Sequence, residues 1–427
     1  MALGMAGSTR ADLIGAIRRG DWLTPERVRN YALLLIGAYA LAILALVATS
    51  NGAVDYAGRP LGADFSDVWT AGRLALHGAP ASAYNPPVHY AAQQAAFHRA
   101  DIPYYGWHYP PFFLLLASAL AALPYAAALA VWQGATLPLY LTTIRAIIPR
   151  KGALLIAAAF PAVFVNLTHG HNGFLSVALL GGGLVMLDRR PWLAGVLFGL
   201  VAYKPQFGLF LPLVLAVTGR WRTFAAAGAT VAALVAVTAG LFGVETWKAF
   251  IANMAFTRTV VLEQGGTGFH KIQSVFAAVR LWGGSVRTAY VAQGLATLAA
   301  GVALVGLWVS KADFRLKAAG LMTACLLATP YCLDYDLLLL APAVAFLASM
   351  AFEEGFRPFE ASFLALVFAA PIISRPLAQF AMVPLGLIAT LVLFLVILRR
   401  AFPRRSGPAR AFPVQLESLE PTRKALS

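Results

Sequence analysis

Two stretches decide the fold: YALLLIGAYALAILALVAT at 31–49 and, a little further on, ADFSDVWTAGRLALHGAPASAYNPPVHYAAQQ at 63–94. The first carries no charge and has the roughly 20 apolar residues that cross a hydrocarbon core about 30 Å thick. The polar segment before it runs for about thirty residues, longer than a cleavable signal peptide carries, so 31–49 reads as an uncleaved anchor. The second stretch belongs to a polar segment, 51–109, that closes with GWHYPPF at 106–112. It contains Asp64, Asp67, Asp101 and four histidines among many aromatics and prolines. A chain that only had to sit in a bilayer has no use for such a loop after its first span. The loop reads as the active-site loop of an enzyme working at a membrane face.

Composition sets the class. The 427 residues are 60% hydrophobic and 12% charged, and a soluble domain carries about 25% charged residues. In hydrocarbon a backbone must satisfy its own hydrogen bonds, so these apolar segments are expected to be helices. The expectation is an all-α polytopic membrane protein of about 12 spans. The net charge of +15 is scattered between apolar segments, which is the pattern of topology signals and anionic-lipid contact. A nucleic-acid partner is not expected. Cys325 and Cys332, seven apart, read as buried thiols rather than a disulfide, and no metal motif is present.

The basic clusters set the topology. Arg10, Arg18, Arg19, Arg27 and Arg29 precede the first span, and Arg399, Arg400, Arg404, Arg405 and Arg410 follow the last. Both termini are therefore expected in the cytoplasm, and 51–109 outside as a large first extracytoplasmic loop. Clusters at 150–151, 189–190, 220–222 and 311–317 fold the sequence between them into hairpins. Their tips fall at 168–173, at 203–206 and at 329–336, all on the side of the large loop. Residues 224–242 go out, 243–284 form a second extracytoplasmic loop, and 286–309 return. Taking 111–123 and 126–148 both as crossings gives an odd number, so one of them should dip in and return. Residues 1–400 form one transmembrane catalytic domain in this reading, and 401–427 a disordered cytoplasmic tail.

Ionisable groups at membrane depth point to function. Asp64 and Asp67, three apart, share a helix face, and either could take a proton from a hydroxyl; Asp64 could equally be a helix N-cap. Lys204, in YKPQF with Gln206, is one cation in a short apolar hairpin and suits an anion entering from the lipid; snorkelling to the interface is the plainer alternative. His169, His171 and Asn172 could bind a sugar or phosphate, or only satisfy local backbone. Asp334 and Asp336 end a hairpin at the same face. His108 and Tyr109 precede two prolines that suit the start of a helix.

Taken in order, DF–(x)3–W–x–AGRLAL–x–G–(x)5–YNP from Asp64, then Y–PPF from Tyr109, then GHNGFLSVALLGG–(x)4–LDRRPWLAGVLFGL–(x)2–YKPQ from Gly170 resemble the glycosyltransferases of family 87. The resemblance runs from about 31 to 345. It implies a GT-C fold and inverting transfer of a sugar, usually mannose, from a polyprenyl-phosphate donor. The acceptor would be a hydroxyl of a lipid-linked or envelope glycan at the outer face of a bacterial inner membrane. It implies Asp64 as general base and Lys204 as the lysine of the family's KP pair. Gly170, His171 and Asn172 stand where the family has GQN, with histidine replacing glutamine. Cations near the departing phosphate would stabilise its charge, with Lys204 first and Lys271, beside His270, and Arg258 in reserve. Asp67, His108, Tyr109, His171, Asn172, Gln206, His270, Asp334 and Asp336 complete the expected substrate contacts. No cofactor is implied, and no nucleotide-binding glycine motif occurs. A transporter or flippase, or a polymerase or ligase of lipid-linked glycans, is the alternative; no internal repeat favours the transporter.

Overall fold

A computed structural model describes residues 12–403; Arg10 and the tail from 404 onward lie outside the described residues. Helices account for the architecture, and the described residues contain no strand, only isolated bridges such as Ile272 with Leu333. Helix α1, Pro25–Ala48, opens on Thr24, whose hydroxyl accepts the Arg27 N–H at 3.3 Å, with Pro25 in the first turn. Proline suits that position because its missing N–H would have no partner there. Only Ala32 of its 24 residues is buried. A helix this apolar and this uncovered needs lipid around it.

The polar loop that follows is folded. Helix α2, Phe65–Leu76, buries Phe65, Val68, Ala71 and Gly72, a helical stripe. It lies so close to α4, Phe113–Ala121, that a Cβ on Gly72 would meet the Ala117 carbonyl oxygen at 2.1 Å. Helix α3, Pro86–Phe97, is capped by Asn85, whose side chain accepts the Val88 N–H. From α3, Gln93 holds the backbone of Tyr105 on both sides, donating to its carbonyl at 2.7 Å and accepting its N–H at 3.2 Å. Tyr84 donates to the Tyr109 carbonyl at 2.9 Å. The loop thus pins 105–109 against α2.

Helix α4 is too short to cross a membrane by itself. The expected span over 111–123 is only nine helical residues, rising about 13.5 Å, less than half a hydrocarbon core. Helix α5, Tyr125–Ile147, is long. Helices fill the three hairpin segments between the basic clusters and break at the expected tips. Helices α6 (Ala153–Ala159), α7 (Pro161–His169) and α8 (Gly173–Met186) form the first, α9 (Pro191–Leu200) and α10 (Leu211–Val217) the second. Helices α11 (Trp221–Phe242), α12 (Val244–Phe256), α13 (Val275–Leu281) and α14 (Val286–Val309) come next. Helices α15 (Phe314–Ala328) and α16 (Leu340–Glu354) make the third hairpin, and α17 (Glu360–Ala381) and α18 (Leu385–Ala401) end the fold. By length and composition five helices can cross a membrane: α1, α11, α14, the stretch Asp334–Glu354 that includes α16, and α17. The shorter apolar helices pack among them, and the core runs through α8, α15 and α16. Cys325 lies inside α15 and Cys332 beyond its end; both are free and buried.

Candidate active site

The three hairpin tips meet, fastened by side chains. Asn166 of α7 donates to the Tyr335 carbonyl at 2.9 Å and accepts the Gly173 N–H at 3.0 Å, joining the first tip to the third. Tyr203 donates to the Asn172 carbonyl at 3.1 Å, joining the second to the first. The N–H of Asp64 donates to the His169 carbonyl at 3.0 Å, joining the large loop to the first tip. Gly170 between them is left-handed, φ 62°, and a Cβ there would fall 2.6 Å from that of Phe65. Only glycine fits both demands. The second polar segment joins through Gln273, whose N–H donates to the Cys332 carbonyl at 2.6 Å.

Together they line an open cavity of about 1140 Å³. Of the residues singled out from sequence, Asp64, Asp67, His108, Tyr109, His169, His171, Lys204, Gln206 and Lys271 line it, as does Arg258. Asn172, Asp334 and Asp336 do not line it and are buried behind residues that do, and half-buried His270 does not line it either. Asn172 donates to the Tyr109 hydroxyl at 2.7 Å. His108 Nδ1 meets the Thr257 hydroxyl at 2.7 Å, and His171 stacks on Tyr335 with ring centroids 3.4 Å apart. Asp64 occupies the N-cap position of α2, but its side chain caps nothing. The capping explanation of that residue is therefore set aside.

Ion pairing sorts the charged groups. Lys204 Nζ sits 2.7 Å from Asp336 Oδ1, both buried, and the other oxygen of Asp336 accepts the Leu333 N–H. Arg375 of α17 pairs with Asp334 at 2.6 Å, Arg59 with Asp55 at 3.1 Å, and Arg258 with Glu263 at 3.5 Å. Of the Lys and Arg side chains lining the cavity, Lys271 alone has no ion-pair partner among the described residues. Of the lining carboxylates, Asp64 and Asp67 alone are unpaired, each with one buried oxygen lacking any hydrogen-bond partner. Buried polar atoms ordinarily have a protein or water partner, so these two oxygens are open to one or the other, or to a substrate.

Burial raises the Asp64 carboxyl above the ordinary carboxylate range; the charges of His169, Lys271 and Lys204 oppose the rise and Asp334 adds to it. Asp67 is raised well above that range by burial, with the charge of Asp64 adding to it. Two carboxylates side by side cannot both ionise cheaply, and the cations favour Asp64 as the one that does. Burial holds His108 neutral, down to about 4. Burial also lowers the Lys271 ammonium, with Arg375 adding to it. No grouping of three or more His, Cys, Asp or Glu that could hold a metal occurs among the described residues.

Arg375 and Asn166 were not singled out from sequence. Arg375 had a signal: it is a lone cation in an apolar run, between Pro371 and Pro376. Asn166 had none, since an asparagine in an apolar helix shows its partners only once the chain is folded.

Apolar helices long enough to cross a bilayer, gathered around a cavity lined by buried carboxylates, define a multi-pass membrane protein with a polar site. The sequence profile of glycosyltransferase family 87 matches residues 107–330, more than half of the chain. The chain belongs to glycosyltransferase family 87 and is thus a membrane glycosyltransferase. The match contains the first two tips and Lys271; Asp64 and Asp67 precede it, and Asp334, Asp336 and Arg375 follow it. No curated protein and no solved structure matches the chain.

Proposed function

We propose that the enzyme moves a sugar, mannose by family likeness, from a polyprenyl-phosphate donor to a hydroxyl of a lipid-linked or envelope glycan. The site would open on the extracytoplasmic face of a bacterial inner membrane, with both termini cytoplasmic and about 12 spans in a GT-C arrangement. The observation that carries this reading is the set of ionisable side chains left without an ion-pair partner in one cavity: Asp64, Asp67 and Lys271. The cavity also reaches the lipid-facing helix α1 at Ala42, Ala45 and Leu46, a route by which a prenyl chain could stay in lipid while its phosphate enters.

The reaction is a single displacement. The acceptor oxygen attacks the anomeric carbon as the bond from that carbon to the phosphate oxygen breaks. Asp64 takes the acceptor proton, and the departing polyprenyl phosphate keeps the bonding pair and gathers charge beside Lys271. Lys204, matched by Asp336, holds the second and third tips together and contributes little net charge, so the phosphate contact passes to Lys271 with Arg375 behind it. Asp67, kept protonated, serves as a hydrogen-bond donor to the sugar or acceptor. Tyr109, His171 and Gln206 supply sugar contacts, with Asn172, His270 and Asp334 behind them, and His108 shapes the wall.

Vesicles containing the purified protein, given labelled polyprenyl-phosphate mannose and envelope lipids, test this. The expected result is label in a new glycosidic product that survives mild acid. Label that crosses the membrane with no new bond would mean a transporter, and the proposal would fail.

A further inference from the structure

A second cavity lies at the opposite end of α1 from the first. On α1 the first cavity is lined by Ala42, Ala45, Leu46 and Thr49 and the second, a groove, by Pro25, Val28 and Arg29, with Arg29 and Thr49 about 30 Å apart along the helix. At the start of α7, Phe160 of the groove and Phe164 of the first cavity are one turn apart. This groove, about 660 Å³, is walled by α1, α5, α6, α16 and α17. Its floor is apolar, with Ile156, Phe160, Val344 and Phe368. Its rim carries Arg29, Arg145, Arg150 and Lys151, and no carboxylate lines it. Arg29, Arg145 and Arg150 are exposed. Arg150 lies over the Phe352 ring at 4.7 Å, and none of the three arginines pairs with a carboxylate among the described residues. The carboxylates at the nearby end of α16 are already engaged, Glu353 by Arg315 and Glu354 by Arg400. Glu26, in the first turn of α1, does not line the groove.

We propose that this groove is a binding site for one anionic phospholipid, its acyl chain on the apolar floor and its phosphate among Arg29, Arg145 and Arg150. Basic pockets between membrane helices select anionic headgroups in this way. A soluble anion would leave the apolar floor unfilled, and a zwitterionic lipid would bring its own ammonium against three guanidinium groups. The inference rests on the membrane-spanning fold and not on the transfer chemistry, so it stands or falls separately from the proposed reaction.

Native mass spectrometry tests it on the full-length protein in detergent, offered equal amounts of phosphatidylglycerol and phosphatidylcholine with matched chains. One phosphatidylglycerol per protein should be retained, with a preference of about tenfold or more. The triple variant R29Q/R145Q/R150Q should lose that preference. Val344→Trp, which fills the groove and leaves the arginines in place, should lower phosphatidylglycerol retention to the level of the triple variant; Ala348→Phe on the same wall repeats the test should the first misfold. Equal retention of both lipids by the wild type overturns the proposal, as does an unchanged preference in the triple variant. Wild-type retention by both groove-filling variants would show charge alone holding the lipid and would also overturn it.

Discussion

Lys271 and Asp64 face one cavity with opposite charge, and each lacks an ion-pair partner. A general base must be ionised, so kcat/KM should fall as pH drops through the Asp64 value, which burial places above the ordinary carboxylate range. The charge of Lys271 pulls that value down. Lys271→Ala should therefore move the acid limb of the pH profile to higher pH and raise the donor KM about 10- to 100-fold, the worth of a charge-assisted contact. An acid limb moved to lower pH would contradict the assignment. Lys204 and Asp336 are different, because they answer each other. Removing either partner of a buried pair strands the other and costs about 3–5 kcal/mol. Lys204→Met alone should lower Tm sharply, and adding Asp336→Asn, which can still accept the Leu333 N–H, should restore most of it. Thermal unfolding of the single and double variants reads this directly.

Helix α2 carries both unpaired carboxylates, and its seat on α4 fixes where they point. That seat depends on Gly72, since a methyl group there would run into the backbone of Ala117, which cannot swing aside as a side chain could. Gly72→Ala should cost about 1–3 kcal/mol and lower kcat more than it lowers stability at the assay temperature. Gly134 of α5, where a methyl group would have nothing within 4 Å, is the control. Its replacement by alanine should be neutral or stabilise by up to about 1 kcal/mol. Equal effects at the two glycines, measured by Tm and by transfer rate, would remove α2 packing from the account. At this scale the sequence was partly legible. Arginine clusters and apolar runs located the hairpins and their tips, because the cost of burying charge leaves a mark in composition. The seat of α2 on α4 left no such mark, and a nine-residue helix over 111–123 looked like a span, because apolar packing against protein and against lipid use the same residues.

Across the whole molecule, distant parts of the chain build one chamber. Asp64 lies in the large loop, Lys204 and Asp336 are 132 positions apart, and Arg375 comes from α17, beyond the family match. Residue type nominated Lys204, one cation in an apolar hairpin where charge is costly, and the carboxylates of the polar loop; the family resemblance singled out Asp64 among them and left Lys271 as a reserve cation. The pairings were not legible, since ion-pair partners are set by the fold, and they redistribute the roles. Lys204 is the paired cation and Lys271 the one without an ion-pair partner among the described residues. The same view gives the second, basic-rimmed groove a place of its own, toward the other end of α1 from the chamber. The central claim is that Asp64 takes the acceptor proton in the chamber that also holds the donor phosphate. Single-turnover transfer from polyprenyl-phosphate mannose by Asp64→Asn, beside the wild type in the same vesicles, tests it most directly. The account predicts a rate lower by about 10²–10⁴ with donor binding and Tm not reduced; transfer at the wild-type rate would contradict it.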